Sequence, residues 1–300
     1  MERRQLSTVI YEKDGPIARI ILDRPDKANA QSSEMVWDVE TSLKDAEADF
    51  DIKVVIVKAN GRGFCSGHAL GGPAAFPEFV KAAEAGHPWK GQADLFLWPV
   101  LHLWEFQKPT LSAVHGYAIG GGTYFALLPD IVVASEDAYF QMPLVQGLGF
   151  PGGETMMEPW LFMNFHRTYE YLYLAQTISA PEARELGMVN RVVPRDELDE
   201  TVERMAREIA QAPLSTLMAT KSLVKRAWEM MGLRVHWQMS QQLMELVGKA
   251  GDVAAWRQEN VDKGYAGGPR QIVAQRFASV EEAPHPDAPP TDAPGDRQEA

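Results

Sequence analysis

The sequence predicts an α/β fold followed by a helical C-terminal region. Three observations lead there: strand-like and helix-like segments alternate through the first half, amphipathic helix spacing takes over near residue 198, and the chain ends in a stretch with almost nothing to bury. "IARIILDRP" (17–25) and "IKVVIVKAN" (52–60) are rich in β-branched residues and read as strands. "SSEMVWDVETSLKDAEAD" between them has helical spacing, which gives a βαβ-like opening. "PTLSAVHGYAI" (109–119) reads as a buried strand, and "GGTYFALL" (121–128) continues as a helix. "DIVVASEDAYFQMP" (130–143) reads as two short strands around a turn at Glu136 and Asp137. Ser179, Ala180, Pro181 and Glu182 form a capping-box pattern, and Gly187 closes the short helix that it starts. Leu198, Val202, Met205 and Ile209 share one helical face, and helix continues through Trp228 to about Arg257. The expected division is a core over 1–200, a helical region over 201–270, and an extended, disordered tail over 271–300, where "APHPDAPPTDAPGDRQEA" is proline-rich and acidic.

Composition narrows the function classes. A 45% hydrophobic and 23% charged chain of 300 residues is an ordinary globular composition. The net charge of −12 argues against nucleic acid or an anionic membrane surface as partner, because both are held mainly by clustered lysine and arginine. Cys65 is the single cysteine, so a disulfide framework is excluded and a reducing compartment fits. "MERRQLSTVIYEKDG" has no apolar run after its charges, so the expected location is cytoplasmic. The uncharged stretch over 109–129 contains His115, four glycines and a proline at each end, too polar and broken for a membrane span.

That same stretch holds Gly120, Gly121 and Gly122. Neither a P-loop nor a dinucleotide loop is present, since "GYAIGGGTY" lacks both Gly-Lys-Ser/Thr and G-x-G-x-x-G. The glycines either let a helix start tightly against a strand or let a bare backbone touch a ligand. A second small-residue site, "NGRGFCSGHALGG" (60–72), follows the 52–60 strand. Its turn can expose the amide of His68, while the other loop exposes the amide of Gly121. Two convergent N–H groups would make an oxyanion hole for a thioester oxygen, and losing one such donor costs about 3–4 kcal/mol of barrier.

"LDRPDKANA" (22–30), "GFCSGHAL" (63–70), "HGYAIGGGTYFALLPDIVVASEDAYFQMP" (115–143), "GFPGG" (149–153) and "ARELGMVNRVVP" (183–194) together resemble, in order, the crotonase (enoyl-CoA hydratase/isomerase) superfamily. The resemblance covers roughly residues 8–228. It implies a spiral of stacked ββα units, a C-terminal helical trimerisation region, a homotrimer or hexamer, and an acyl-CoA substrate. Coenzyme A would arrive as part of that substrate, with no separate cofactor and no metal. Carried onto this chain, the oxyanion amides fall on His68 and Gly121. The loop with Lys27, Ala28 and Ala30 and the segment with Cys65, Ser66 and His68 would hold the adenine and the bent pantetheine, and Leu70 would line the acyl pocket. Lys27 and Arg62 are either phosphate partners or solvated surface charges.

The chain departs from the hydratase pattern where the chemistry sits. Hydratases carry two glutamates that manage the water, and this chain has Tyr124 and Leu144 at those positions. Syn hydration needs an acid and a base on one face, and leucine supplies neither. Glu154, directly after "GFPGG", is the expected base and is otherwise a helix-start glutamate; Glu158, one turn on but beside Pro159 and farther from the glycines, is second choice. Tyr124 either donates a hydrogen bond to substrate or belongs to the core. His115 reads as a satisfied core histidine and Cys65 as a small packed residue. The segment over 74–109 would cover the acyl pocket, with Phe96, Trp98, His102, Trp104 and Glu105 as the side chains to follow; its aromatic content suggests a bulky acyl group. Two classes of function stay open: an isomerase, hydrolase or atypical hydratase acting on an acyl-CoA, or a catalytically weak acyl-CoA-binding homologue.

Overall fold

β1 (Glu2–Gln5), β2 (Val9–Asp14) and β3 (Ile17–Leu22) form an antiparallel meander in the computed structural model, which describes residues 1–70, 75–153, 156–162, 164–265 and 269–281. α1 (Ser33–Ala48) then crosses over and returns the chain as β4 (Val54–Ala59), parallel to β3 with Ile17 opposite Val54. Met35, Val36, Val39, Leu43 and Ala46 recur at three- and four-residue steps and make the buried face of α1. α2 (Pro77–Glu84), α3 (Pro88–Gln92), a π-helical turn (Ala93–Leu97) and α4 (Trp98–Glu105) lead to β5 (Thr110–Val114), parallel to β4.

From β5 the chain moves between two sheets. β6 (Tyr117–Ile119) leads into α5 (Gly121–Leu127), and β7 (Ile131–Ser135) pairs with β5. β8 (Tyr139–Gln141) pairs with β6 instead, so the two strands expected around Glu136 and Asp137 do not pair with each other but belong to different sheets. α6 (Leu144–Leu148), α7 (Glu158–Phe162) and α8 (Phe165–Leu174) follow, then β9 (Thr177–Ser179) antiparallel to β8. α9 (Ala180–Glu185) is capped by the Ser179 hydroxyl, which accepts from Glu182 N, and Gly187 turns the chain at φ 77°. β10 (Arg191–Val193) completes a sheet of order β1-β2-β3-β4-β5-β7-β10.

α10 (Leu198–Ala210) lies on one face of this sheet. Val54, Ile56, Leu111, Ala113 and Val133 meet Leu198, Val202 and Met205 there, while the alternate residues Val55 and Val57 face the main core. Burial on both faces explains why these strands read as unbroken apolar runs. The chain ends in α11 (Leu214–Met230), α12 (Leu233–Val247), α13 (Gly251–Asp262) and α14 (Pro269–Glu281). The tail expected from residue 271 is therefore wrong over its first eleven residues, which are helix, and residues 282–300 lie outside the described residues. α14 is held by packing: a methyl on Gly147 of α6 would lie 2.6 Å from Pro269 O, and Val273 is buried. Among the described residues no helix is long and apolar enough to cross a membrane.

Candidate active site

The residues over 28–31 and 63–68 are laced into one unit before any ligand is considered. Ala28 and Asn29 sit at φ 53° and 51°, a left-handed pair that asparagine tolerates and alanine adopts only at a cost of about 1 kcal/mol or more. The fully buried Asn29 side chain holds this turn: Oδ1 accepts from Arg24 N, and Nδ2 donates to Asn60 O and Gly63 O. Ser66 N donates to Ala28 O, and Gln31 N donates to Gly67 O while its own carbonyl accepts from Ala69 N. Those last two bonds fix the residues on either side of His68. Cys65 Sγ donates to Asn29 O, and burial pushes the thiol up to about 12, so Cys65 is a packed residue as expected.

The glycine triplet meets this unit at close range. Ile119 N donates to Cys65 O, Gly120 N donates to Gln141 O, and α5 starts at Gly121. A methyl on Gly122 would strike Cys65 O at 2.4 Å, so that glycine is a packing device. A methyl on Gly121 would instead meet side chains: His68 Nε2 at 2.6 Å and Gln31 Oε1 at 2.8 Å. Gln31 Nε2 also donates to Gly121 O. Gly67, at φ 92°, stands so near that a Cβ there would lie 3.3 Å from Gly121 N. The backbone at Gly67 thus lies side by side with the start of α5 at Gly121.

Both stretches line a cavity of about 1020 Å³. Ala30, Ser66, His68 and Leu70 line it, as does Gly121. Phe76, Phe79 and Phe96 form one wall, and Leu144, Leu148 and Phe150 another. Met244 of α12 and Pro269 and Ala274 of α14 border it from the C-terminal region. Leu144 is thus a wall residue. Tyr124 is buried, and its hydroxyl reaches Gly153. Lys27 and Arg62 are both exposed. Glu154 lies outside the described residues.

Several expected pocket residues are elsewhere. Phe96 lines the cavity, but Trp98 is exposed and His102, Trp104 and Glu105 do not line it. Charge partners draw them off: His102 Nδ1 lies 2.7 Å from Glu40 Oε2 and Nε2 3.5 Å from Glu47 Oε2, and the hydrogen bond to Glu40 raises the imidazole above its usual pKa despite burial. Trp104 Nε1 donates to Glu229, and Glu105 pairs with Arg234. Glu158 is buried and desolvation pushes it up to about 7, yet it does not line the cavity. His115 is a core histidine as expected: Nε2 donates to Gly61 O at 2.9 Å, and burial lowers its pKa. Among the described residues no cluster of three or more His, Cys, Asp or Glu could hold a metal.

Sequence reading missed Asn29 and Gln31. An asparagine inside a run of small residues is a left-handed turn signal and could have exposed the first. Nothing local marks Gln31, whose partner Gly121 is ninety residues away.

The same architecture occurs in known proteins. The crystal structure of an enoyl-CoA hydratase/isomerase from Xanthobacter autotrophicus Py2 superposes with a TM-score of 0.76 at 30% identity, covering 92% of this chain and 99% of that one. An enoyl-CoA hydratase from Mycobacterium smegmatis shares the fold at 24% identity, with a TM-score of 0.73 and coverage of 92% and 95%. EchA13 of Mycobacterium tuberculosis, whose name sets it among enoyl-CoA hydratases, is 34% identical over 245 residues, 76% of this chain and 77% of that one. Residues 12–261 match the model of the enoyl-CoA hydratase/isomerase family. With most of its length matched in sequence and in fold, this chain belongs to the enoyl-CoA hydratase/isomerase family.

Proposed function

We propose that the protein is an acyl-CoA enzyme that moves a proton on the acyl chain, with the thioester oxygen stabilised as an oxyanion between the amides of His68 and Gly121. The observation that carries this reading is the close approach of Gly67 to Gly121 N beside an apolar cavity that His68 and Gly121 both line. Donors fixed before the reaction stabilise the charge that develops on the oxygen without reorganising. The loop bearing Ala28 and Ala30, tied to Cys65 and Ser66, supports the adenine and pantetheine assignment. Lys27 and Arg62 are solvent-facing and able to meet phosphates.

The chemistry follows from what the site lacks and what it holds. Tyr124 and Leu144 replace the carboxylates that hydration uses, so isomerisation is favoured over ordinary hydration, with hydrolysis or atypical hydration as the neighbouring reactions of the same oxyanion. Glu154 is the carboxylate that the sequence offers as a base to this reading. At about 1020 Å³, the cavity lies at the upper end of ordinary ligand pockets, roughly 300–1,000 Å³, and its phenylalanine wall suits a bulky or aryl acyl group. A homotrimer or hexamer is part of the reading: Val235, Met239, Leu243 and Leu246 form an exposed apolar stripe along α12 that a second copy would cover. The cytoplasmic setting rests on the lone thiol of Cys65.

A panel of acyl-CoA thioesters, including β,γ-unsaturated and aryl chains, followed by mass spectrometry and chromatography of the products, tests the function. Double-bond migration in a bulky β,γ-unsaturated thioester supports it. Tight binding across the panel with every thioester recovered unchanged contradicts it and identifies a binding homologue.

A further inference from the structure

Resting on that thioester chemistry, we propose that the imidazole of His68 is the group that takes and returns the proton, so that one residue supplies both an oxyanion amide and the acid–base ring. The ring lies against Gly121 in the lining of the cavity. A methyl on Gly121 would meet Nε2 at 2.6 Å and Cε1 at 2.8 Å, so the nitrogen-bearing edge lies directly over the backbone of the second oxyanion donor. Among the described residues that line the cavity, His68 brings the imidazole and no carboxylate or amine joins it.

Its orientation is fixed from two sides. Phe96 packs edge-on at 4.6 Å between centroids with planes at 69°, and Phe76 at 6.3 Å and 75°. Phe76 and Phe96 pack edge-to-face on each other at 5.1 Å, so the three rings lock as a group. From the other side, Gln31 is held by its Nε2 donating to Gly121 O, and this turns Oε1 toward the same Gly121 Cα that the ring covers. Gln31 thus braces the same backbone that the ring covers. Gln31 is therefore a positioning residue.

The step balances without a further reactant. In the tautomer with hydrogen on Nδ1, Nε2 takes a proton from the acyl α-carbon; the C–H pair becomes the enolate C=C bond, and the carbonyl π pair moves to the oxygen between the amides of His68 and Gly121. The imidazolium then returns its proton to the α-carbon, giving exchange, or to the γ-carbon of a dienolate, giving isomerisation.

The test follows deuterium uptake from D₂O into the α-position of phenylacetyl-CoA by mass spectrometry, with thioester affinity measured in parallel by calorimetry. His68→Gln and His68→Ala keep the backbone amide and remove the base. Both should bind within a few-fold of the unaltered protein and exchange about 10²–10⁴-fold more slowly, and added imidazole should restore exchange to His68→Ala. Exchange within a few-fold of the unaltered protein in His68→Gln overturns the assignment. So does loss of binding equal to the loss of exchange, which marks a structural role. Retained exchange in His68→Gln together with its loss in Glu154→Gln moves the proton to Glu154. Absence of exchange in the unaltered protein defeats the thioester reading itself, and this proposal with it.

Discussion

The hydroxyl of Tyr124 occupies the space that any side chain on Gly153 would need: a Cβ there would lie 1.2 Å from Oη. Tyr124 and the glycine before Glu154 are thus one packing decision. Ser240 reinforces it from α12 by donating to Gly153 O at 2.8 Å.

Gly153→Ala should destabilise the protein by about 1–3 kcal/mol through overpacking. Adding Tyr124→Leu should recover part of that loss, because the double variant removes the clash. Denaturant unfolding of the two single variants and the double variant measures the coupling.

Crotonyl-CoA should be hydrated poorly. If Tyr124 and Leu144 stand where hydratases carry their acid–base groups, as the proposed reading has it, the deficit is about 10⁴-fold or more against an enzyme that has both. Loss of the enoyl-thioester absorbance measures it, and turnover at an ordinary hydratase rate would contradict the account.

Gly121→Val should lower turnover through collision with His68 and Gln31, and Gly121→Pro should also remove one oxyanion donor. The expected loss in kcat is about 10²–10³-fold for the donor alone, with assembly retained by size-exclusion chromatography. A fully active Gly121→Pro variant would be incompatible with the oxyanion reading.

Much of the scaffold was legible and the site only partly so, for physical reasons that differ by residue. The 17–25 and 52–60 runs and the Leu198, Val202, Met205 face carry their periodicity in the local chain, so their elements follow from it. The bond that Ser179 makes to Glu182 N is equally local. β7 and β8 look like a hairpin from their sequence, but which sheet each joins is decided by β5 and β6, outside the local window. α14 has no strong amphipathic pattern and is ordered by docking on α6. Placing His102 in the acyl pocket failed because Glu40 and Glu47 lie on α1, about sixty residues earlier in the chain. The approach of His68 and Gln31 to Gly121 is likewise tertiary, whereas the need for glycine at that position showed in the triplet itself.

Glu158 should make stability depend on pH. Burial raises its folded pKa from 4.5 to about 7, so its contribution is fully present below about pH 4.5 and is lost as pH rises through about 7. At roughly 1.4 kcal/mol per pKa unit the loss approaches about 3 kcal/mol. Glu158→Gln should abolish this slope and be more stable than the unaltered protein at pH 8. Denaturant titrations at pH 5 and pH 8 decide it; equal slopes in both proteins would show that Glu158 ionises freely.

The central claim is that the His68 and Gly121 amides stabilise an enolate of a bound acyl-CoA, and hydrogen exchange at the α-carbon reports it most directly. Phenylacetyl-CoA incubated with the protein in D₂O should gain α-deuterium far faster than without it, with the CoA thioester intact, and Gly121→Pro should suppress that gain. Binding of the thioester with α-exchange no faster than in buffer would contradict the account.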